Sequence, residues 1–207
     1  VYGIALTVAR LPHEFAGVVT HHVMFPLMAE LARADRDQLR GKLLYVRGFL
    51  LTLGLAATTG VVLLAPWFFR LAYTQKFADA AWMAPLAAAT GWVLLLESTA
   101  SRALLAIGAS RSLAIQSFVQ VIVTAAACWI GFQLQGGAVG FILGTAIGAM
   151  AGHAVLLVEL ARHHLAVHWQ DLKYSLVLAL AVGIGLGVPF AAAHSGGAGV
   201  PVWVSAV

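Results

Sequence analysis

The chain has 207 residues, of which 61% are apolar and 10% charged, against roughly 25% charged in an ordinary soluble domain. With a mean hydropathy of +0.92, it carries more apolar surface than the interior of a soluble fold of this size can hide, which excludes a soluble domain and specifies a helical membrane protein. The excess of 12 Lys and Arg over 8 Asp and Glu is the bias of cytoplasmic loops, not a nucleic-acid footprint, because no basic run is interleaved with aromatics.

Six apolar segments can be drawn, at 1–31, 44–66, 80–107, 113–133, 138–161 and 174–193. Each reaches the ~20 residues that cross a 30 Å hydrocarbon core. The expected fold is therefore all-α, a polytopic transmembrane bundle of about six spans. Without an initiator Met or a signal peptide at its start, and without a polar tail at its end, the sequence is expected to be part of a longer chain.

In the first segment Arg10, Glu14, Gly17 and His21 fall at i, i+4, i+7 and i+11, on one stripe of a helix. Pro12 between the two charges removes a backbone donor and is expected to kink the helix. Charges inside a span are costly and face a cavity or a partner. Arg10 is suited to holding a phosphate or sugar acid through its planar fork, and Glu14 to titrating beside it. A structural Arg10–Glu14 ion pair near the outer end is the alternative.

After this segment, Leu39, Leu43 and Val46 recur at helical spacing among Arg36, Arg40, Lys42 and Arg47. The pattern fits either a short helix on the inner membrane surface or an extension of the second span. Segment three carries Glu97 and Arg102. Glu97 suits a proton carrier, or else a neutral hydrogen-bonded residue with Arg102 reaching toward the interface. In segment four Gln116 and Gln120 stand one turn apart, either lining a polar cavity or bonding across a helix interface. In segment five Gly136, Gly140, Gly144, Gly148 and Gly152 repeat every four residues, the pattern of a close-packing face. His153 beside them reads as an interior histidine, and the lone Cys128 as packing. His164 and His168 have metal-ligand spacing but no third ligand nearby, so no metal is assigned.

Loops after segments one, three and five hold eight basic residues, Arg33, Arg36, Arg40, Lys42, Arg47, Arg111, Arg162 and Lys173, against Arg70 and Lys76 alone on the other side. The positive-inside rule places the first set in the cytoplasm, with the uncharged stretch 195–207 outside.

FPLMAELARAD (25–35) with the basic stretch after it, APWFFRLAYTQKFADAAWMAPLAA (65–88), ALLAIGASRSLAIQ (103–116) and GGAVGFILGTAIGAMAG (136–152) resemble segments of polysaccharide flippases in the multidrug, oligosaccharidyl-lipid and polysaccharide exporter superfamily. One departure is Thr74-Gln75 before Lys76-Phe77, where that family's outer turn usually has Gly. The resemblance covers about 1–165. It implies the C-terminal half of a transporter of 12 or 14 helices, with 166–207 forming an additional helix and an extracytoplasmic tail. It further implies that the protein is not an enzyme but flips an undecaprenyl-diphosphate-linked oligosaccharide across the bacterial cytoplasmic membrane for surface polysaccharide synthesis. Its partners would be that lipid-linked sugar, membrane lipids and the missing N-terminal half of the same chain.

The residues assigned to the substrate are Arg10, Glu14, His21, Arg102, Gln116 and Gln120, and those assigned to proton coupling are Glu14 and Glu97. No catalytic residue, metal or cofactor is expected. A cation-coupled drug antiporter of the same superfamily is the runner-up; a membrane enzyme or a structural scaffold is the third class. A scaffold has no use for Arg10, Glu14 or Glu97 inside its spans, and an enzyme needs a clustered nucleophile and base that the sequence does not display.

Overall fold

A computed structural model describes residues 2–24, 26, 27, 30, 36–72, 80–135 and 137–195. The inner loop at 31–35, the outer turn at 73–79 with Tyr73 and Lys76-Phe77, Gly136 and the tail at 196–207 lie outside the described residues. The helices are α1 (Tyr2–Val19), which runs into a π-helical turn at Thr20–Met24, α2 (Arg36–Ala72), α3 (Ala80–Ala106), α4 (Ser110–Gln135), α5 (Ala138–Arg162) and α6 (His168–Ser195). Among the described residues there is no strand.

Among the described residues, four helices are long and apolar enough to cross a membrane, over Arg40–Ala65, Met83–Ala106, Ser110–Leu134 and Val139–Arg162. The protein is a multi-pass membrane protein of all-α architecture. The other two expected segments, α1 and α6, are helical as well. α1 has 18 residues and carries Arg10, His13 and Glu14, and α6 opens with the polar sequence HWQDLKYS. Pro12 lies inside α1, which the structure continues through it without a break.

The basic amphipathic stretch is not a separate surface helix. It forms the first turns of the 37-residue α2, with Leu43 fully buried and Arg40 and Lys42 exposed. The extension is favoured because Leu43 packs into a cluster with Leu50, Ala103, Leu104, Leu156, Leu160, Leu165 and Val167. That cluster ties together the start of α2, the ends of α3 and α5 and the start of α6. The exposed basic residues Arg40, Lys42, Arg111, Arg162 and Lys173 surround this end, called here the basic end.

The two described connections at the basic end are Schellman turns. In the first, Gly108 has φ +78°, its N–H donates to Leu105 O at 3.0 Å, and the Ala109 N–H donates to Leu104 O at 3.0 Å. In the second, His164 takes the same role at φ 60°. Its N–H donates to Ala161 O at 3.1 Å and that of Leu165 to Leu160 O at 2.8 Å. The apolar contact that accompanies such turns is present, since Leu160 and Leu165 share the buried cluster.

α4 and α5 pair along the glycine repeat. A Cβ built on Gly144 would stand 2.6 Å from Cys128 N, and one on Gly148 would stand 2.8 Å from Thr124 Cβ. Gly140 and Gly131 approach backbone to backbone. The repeat is a packing face, as its spacing predicts. α3 lies at the centre of the remaining bundle. Ala9 of α1 packs with Val62, Ala87 and Ala88, and Ala16 with Leu51, Trp92, Leu95 and Leu178. The outward face of α4 is apolar and exposed at Phe118, Val121, Trp129 and Phe132, which suits contact with acyl chains.

Candidate functional site

Helical spacing in α2 puts Arg47 four residues after Leu43 and three before Leu50, on the buried stripe. Its side chain is 0% exposed. A guanidinium cannot shed its charge in a protein, so the neighbouring helices must satisfy it. They do so with four acceptors. Arg47 Nε donates to Thr99 Oγ1 at 3.0 Å, Nη2 to Leu96 O at 3.3 Å, and Nη1 to Gln170 Oε1 at 3.4 Å and to Asp171 Oδ1. Asp171 closes an ion pair with it, and its other oxygen, Oδ2, meets His153 Nε2 at 3.0 Å.

Three helices thus converge on one carboxylate-centred chain, Arg47 of α2, Asp171 of α6 and His153 of α5, braced by Thr99 of α3. Around it α6 is stitched to its neighbours by Gln170 Nε2 to Leu44 O at 2.8 Å, Tyr174 OH to Gly48 O at 3.1 Å and Trp92 Nε1 to Ser175 Oγ at 3.0 Å. The asymmetry of buried ion pairs applies here: the pair itself gives little net stability, while removing one partner leaves a charge stranded.

A second polar group lies next to the first. Glu97 of α3 accepts at Oε1 from Gln116 Nε2 at 2.8 Å and at Oε2 from Gln120 Nε2 at 3.0 Å. Gln116 Nε2 also donates to Gln120 Oε1 at 2.8 Å. The two glutamines fit because Gly152 of α5 leaves room, since a Cβ there would sit 2.9 Å from Gln116 Nε2. Gln116 and Gln120 therefore bond across the α3–α4 interface, one of the two roles open to them from sequence. Glu97 is no isolated carboxylate. Gly152, which leaves room for the glutamines, directly precedes His153 of the first group on α5.

The remaining sequence-assigned residues are placed apart from this cluster. Arg10 and Glu14 are exposed on α1 and border a shallow concavity with Leu6, Thr7 and Leu11. No ion pair joins them among the described residues. His21 is exposed in the π-helical turn, its ring edge-on to His22 at 5.2 Å. Arg102 is half-buried on α3. His164 and His168 are both exposed, at the turn into α6 and at its first residue. A further feature, an apolar cavity of about 340 Å³, lies between α2, α3 and α6 and is lined by Thr58, Pro85, Trp92, Leu178 and Val182 among others.

Sequence reasoning missed the Arg47–Asp171–His153 chain. The sequence reading counts Arg47 among the loop charges and assigns Asp171 no role, whereas the structure buries both inside the helical bundle. The signal for Arg47 was available in the apolar period Leu39, Leu43, Val46, because the same stripe continues through position 47. Asp171 offered no such signal, since its burial depends on which helices α6 packs against.

No family model matches the chain, and no curated protein or solved structure is significantly similar to it.

Proposed function

We propose that this chain is the C-terminal part of a transporter that flips a polyprenyl-diphosphate-linked oligosaccharide across the bacterial cytoplasmic membrane, with its basic end in the cytoplasm. The observation that carries the reading is the pair Arg10 and Glu14. Both are exposed on α1, a helix that otherwise packs its small residues Ala9 and Ala16 into the apolar bundle. Charges on that face are tolerable beside a hydrated cavity and costly against lipid, so the face is suited to border a polar path closed on its far side by the rest of the protein. A diphosphate moving along that path would meet Arg10 as a bidentate donor. The apolar cavity between α2, α3 and α6 has the chemistry to hold a stretch of polyprenyl tail. The motif resemblance supports the same reading, and it stands on the quoted residues alone.

The cation-coupled antiporter remains the second reading because of one observation, the Glu97 carboxylate held by Gln116 and Gln120, a cluster of the kind that ion-coupled carriers use. The deciding experiment reconstitutes the full-length protein in liposomes. It compares movement of a fluorescent lipid-linked oligosaccharide between leaflets with efflux of a cationic dye. Flipping of the labelled lipid without dye efflux supports the first reading; dye efflux alone replaces it with the second.

A further inference from the structure

α2 and α6 run side by side with both starts at the basic end, and two hydrogen bonds fix their register. Gln170 Nε2 donates to Leu44 O at 2.8 Å, and Tyr174 OH donates to Gly48 O at 3.1 Å. On one flank of this seam Arg47 and Asp171 turn toward α3 and α5. Helical spacing puts Gly41, Tyr45 and Thr52 of α2, with Lys173 and Val177 of α6, on the opposite flank. All five are exposed there, Tyr45 at 81%.

The apolar stretch of α2 begins at Arg40, and Gly48 lies about 12 Å further along the helix at 1.5 Å per residue. Tyr174 is bonded to Gly48, so Lys173 leaves α6 at a depth where an ammonium is costly against hydrocarbon. Its stem can lie along the helix while the charge reaches back toward the surface. On that way it passes Trp169, one turn earlier and 76% exposed. Lys42 is exposed on the neighbouring helix. No ion pair joins Lys42 or Lys173 to an acid among the described residues. Beyond the two lysines the hydroxyls of Thr52 and Tyr174 meet at 3.0 Å in the exposed seam. Further from the basic end come the exposed apolar positions Ala56 and Leu180. Cation, hydroxyl and apolar surface follow each other in the order of phosphate, glycerol esters and acyl chain in a phospholipid.

We infer that this flank of the α2–α6 seam binds one anionic phospholipid, its phosphate between Lys42 and Lys173 and an acyl chain along Ala56 and Leu180. Tyr45 and Trp169 flank the headgroup as interfacial aromatics. Lysine suits the role, because a compact ammonium on a flexible stem holds a phosphate as a point charge without demanding one geometry. Charge selects the occupant. Two cations with no acid paired to them among the described residues attract a headgroup of net negative charge. They favour a zwitterionic headgroup less, since they repel its ammonium. The bound lipid clamps the first turns of α2 to those of α6, at the end where Arg47 and Asp171 pair. The inference goes beyond the transport reading and does not depend on the cargo, because it uses only the membrane setting of the bundle.

The test uses the full-length protein in detergent, titrated with phosphatidylglycerol or with phosphatidylcholine of the same acyl chains, with bound lipid counted by native mass spectrometry. One phosphatidylglycerol is expected to bind more tightly than phosphatidylcholine. Lys42→Gln and Lys173→Gln should each weaken it about fivefold, the worth of one basic residue near an anionic headgroup, and Lys173→Arg should keep it. Arg111→Gln, which removes an exposed charge at the start of α4, should leave it unchanged. Both lysines are exposed, so each variant reads the site independently of the other, and circular dichroism checks that helix content is kept. Equal binding of the two lipids overturns the inference. So does an Arg111→Gln effect as large as that of the lysines, which reduces the site to diffuse attraction. Binding untouched by either lysine variant also overturns it, and is the result expected if another part of the full-length chain covers the seam. No lipid-linked sugar enters this measurement, so a protein that binds phosphatidylglycerol at the seam but flips no such sugar keeps the lipid site and loses the flippase reading.

Discussion

Removing the carboxylate of Asp171 is the most informative single perturbation of the bundle. Arg47 is 0% exposed and Asp171 8% exposed in their side chains, and the Asp171 carboxylate provides both the counter-charge of Arg47 and the partner of His153 Nε2. Asp171→Ala strands a guanidinium in the interior and frees His153 Nε2 at once. Breaking one side of a buried pair costs about 3–5 kcal/mol, and the lost bond to the imidazole lies in the range of about 0.5–1.5 kcal/mol for a hydrogen bond between protein groups. Asp171→Asn keeps one acceptor oxygen and should cost less, near the ~1.5–3 kcal/mol of a hydrogen bond to a charged group. The double replacement Arg47→Met with Asp171→Leu removes both charges together and should recover most of the loss, because well-packed apolar side chains substitute for buried pairs at little net cost. Equilibrium unfolding in mixed micelles, followed by tryptophan fluorescence, measures all three. An Asp171→Ala protein destabilised by less than about 1 kcal/mol, or a double variant no more stable than the single one, would refute the assignment of this pair as a desolvated ion pair.

Gly148→Leu forces a side chain into Thr124, whose Cβ already stands 2.8 Å from where a Cβ would sit, and should cost at least the ~1–3 kcal/mol of overpacking. Gly183→Ala, with nothing within 4 Å of its added Cβ, should be neutral or stabilising by up to about 1 kcal/mol, and the two measured side by side in the same unfolding assay separate packing glycines from bystanders. Arg10→Lys keeps the charge but loses the planar fork, so flipping in the liposome assay should fall while membrane insertion is kept; Arg10→Ala should fall further, and an unchanged rate removes Arg10 from the substrate path. Cysteines introduced at Gln38 and Ala166 should be shielded from an impermeant thiol reagent in intact cells while one at Gly197 reacts; labelling at Gln38 from outside reverses the proposed orientation.

The all-α class was legible in the sequence because spans are set by composition and length: a bilayer demands about 20 apolar residues, and the chain supplies such stretches between short polar turns, although among the described residues only four of the six expected spans are long and apolar enough to cross. The glycine face was legible for a similar reason, since a four-residue period lies within one helix and needs no knowledge of its partner. That Cys128, Thr124 and Gln120 are what it meets was decided by the α4–α5 hairpin. The start of α2 shows where local reading stops. The amphipathic stretch is compatible with a surface helix or a longer span, and only the packing of Leu43 against α3 and α5 selects the span. The polar cluster lies further from the sequence still. Arg47, Glu97, His153 and Asp171 come from four helices, and Arg47 and Asp171 are 124 residues apart. The backbone of a membrane helix is already hydrogen-bonded to itself, so a buried ionised side chain without an oppositely charged residue one turn away on its own helix depends on groups that other helices bring to it. The sequence therefore announces that charges such as Glu97 need partners, and the tertiary structure alone determines which ones they find.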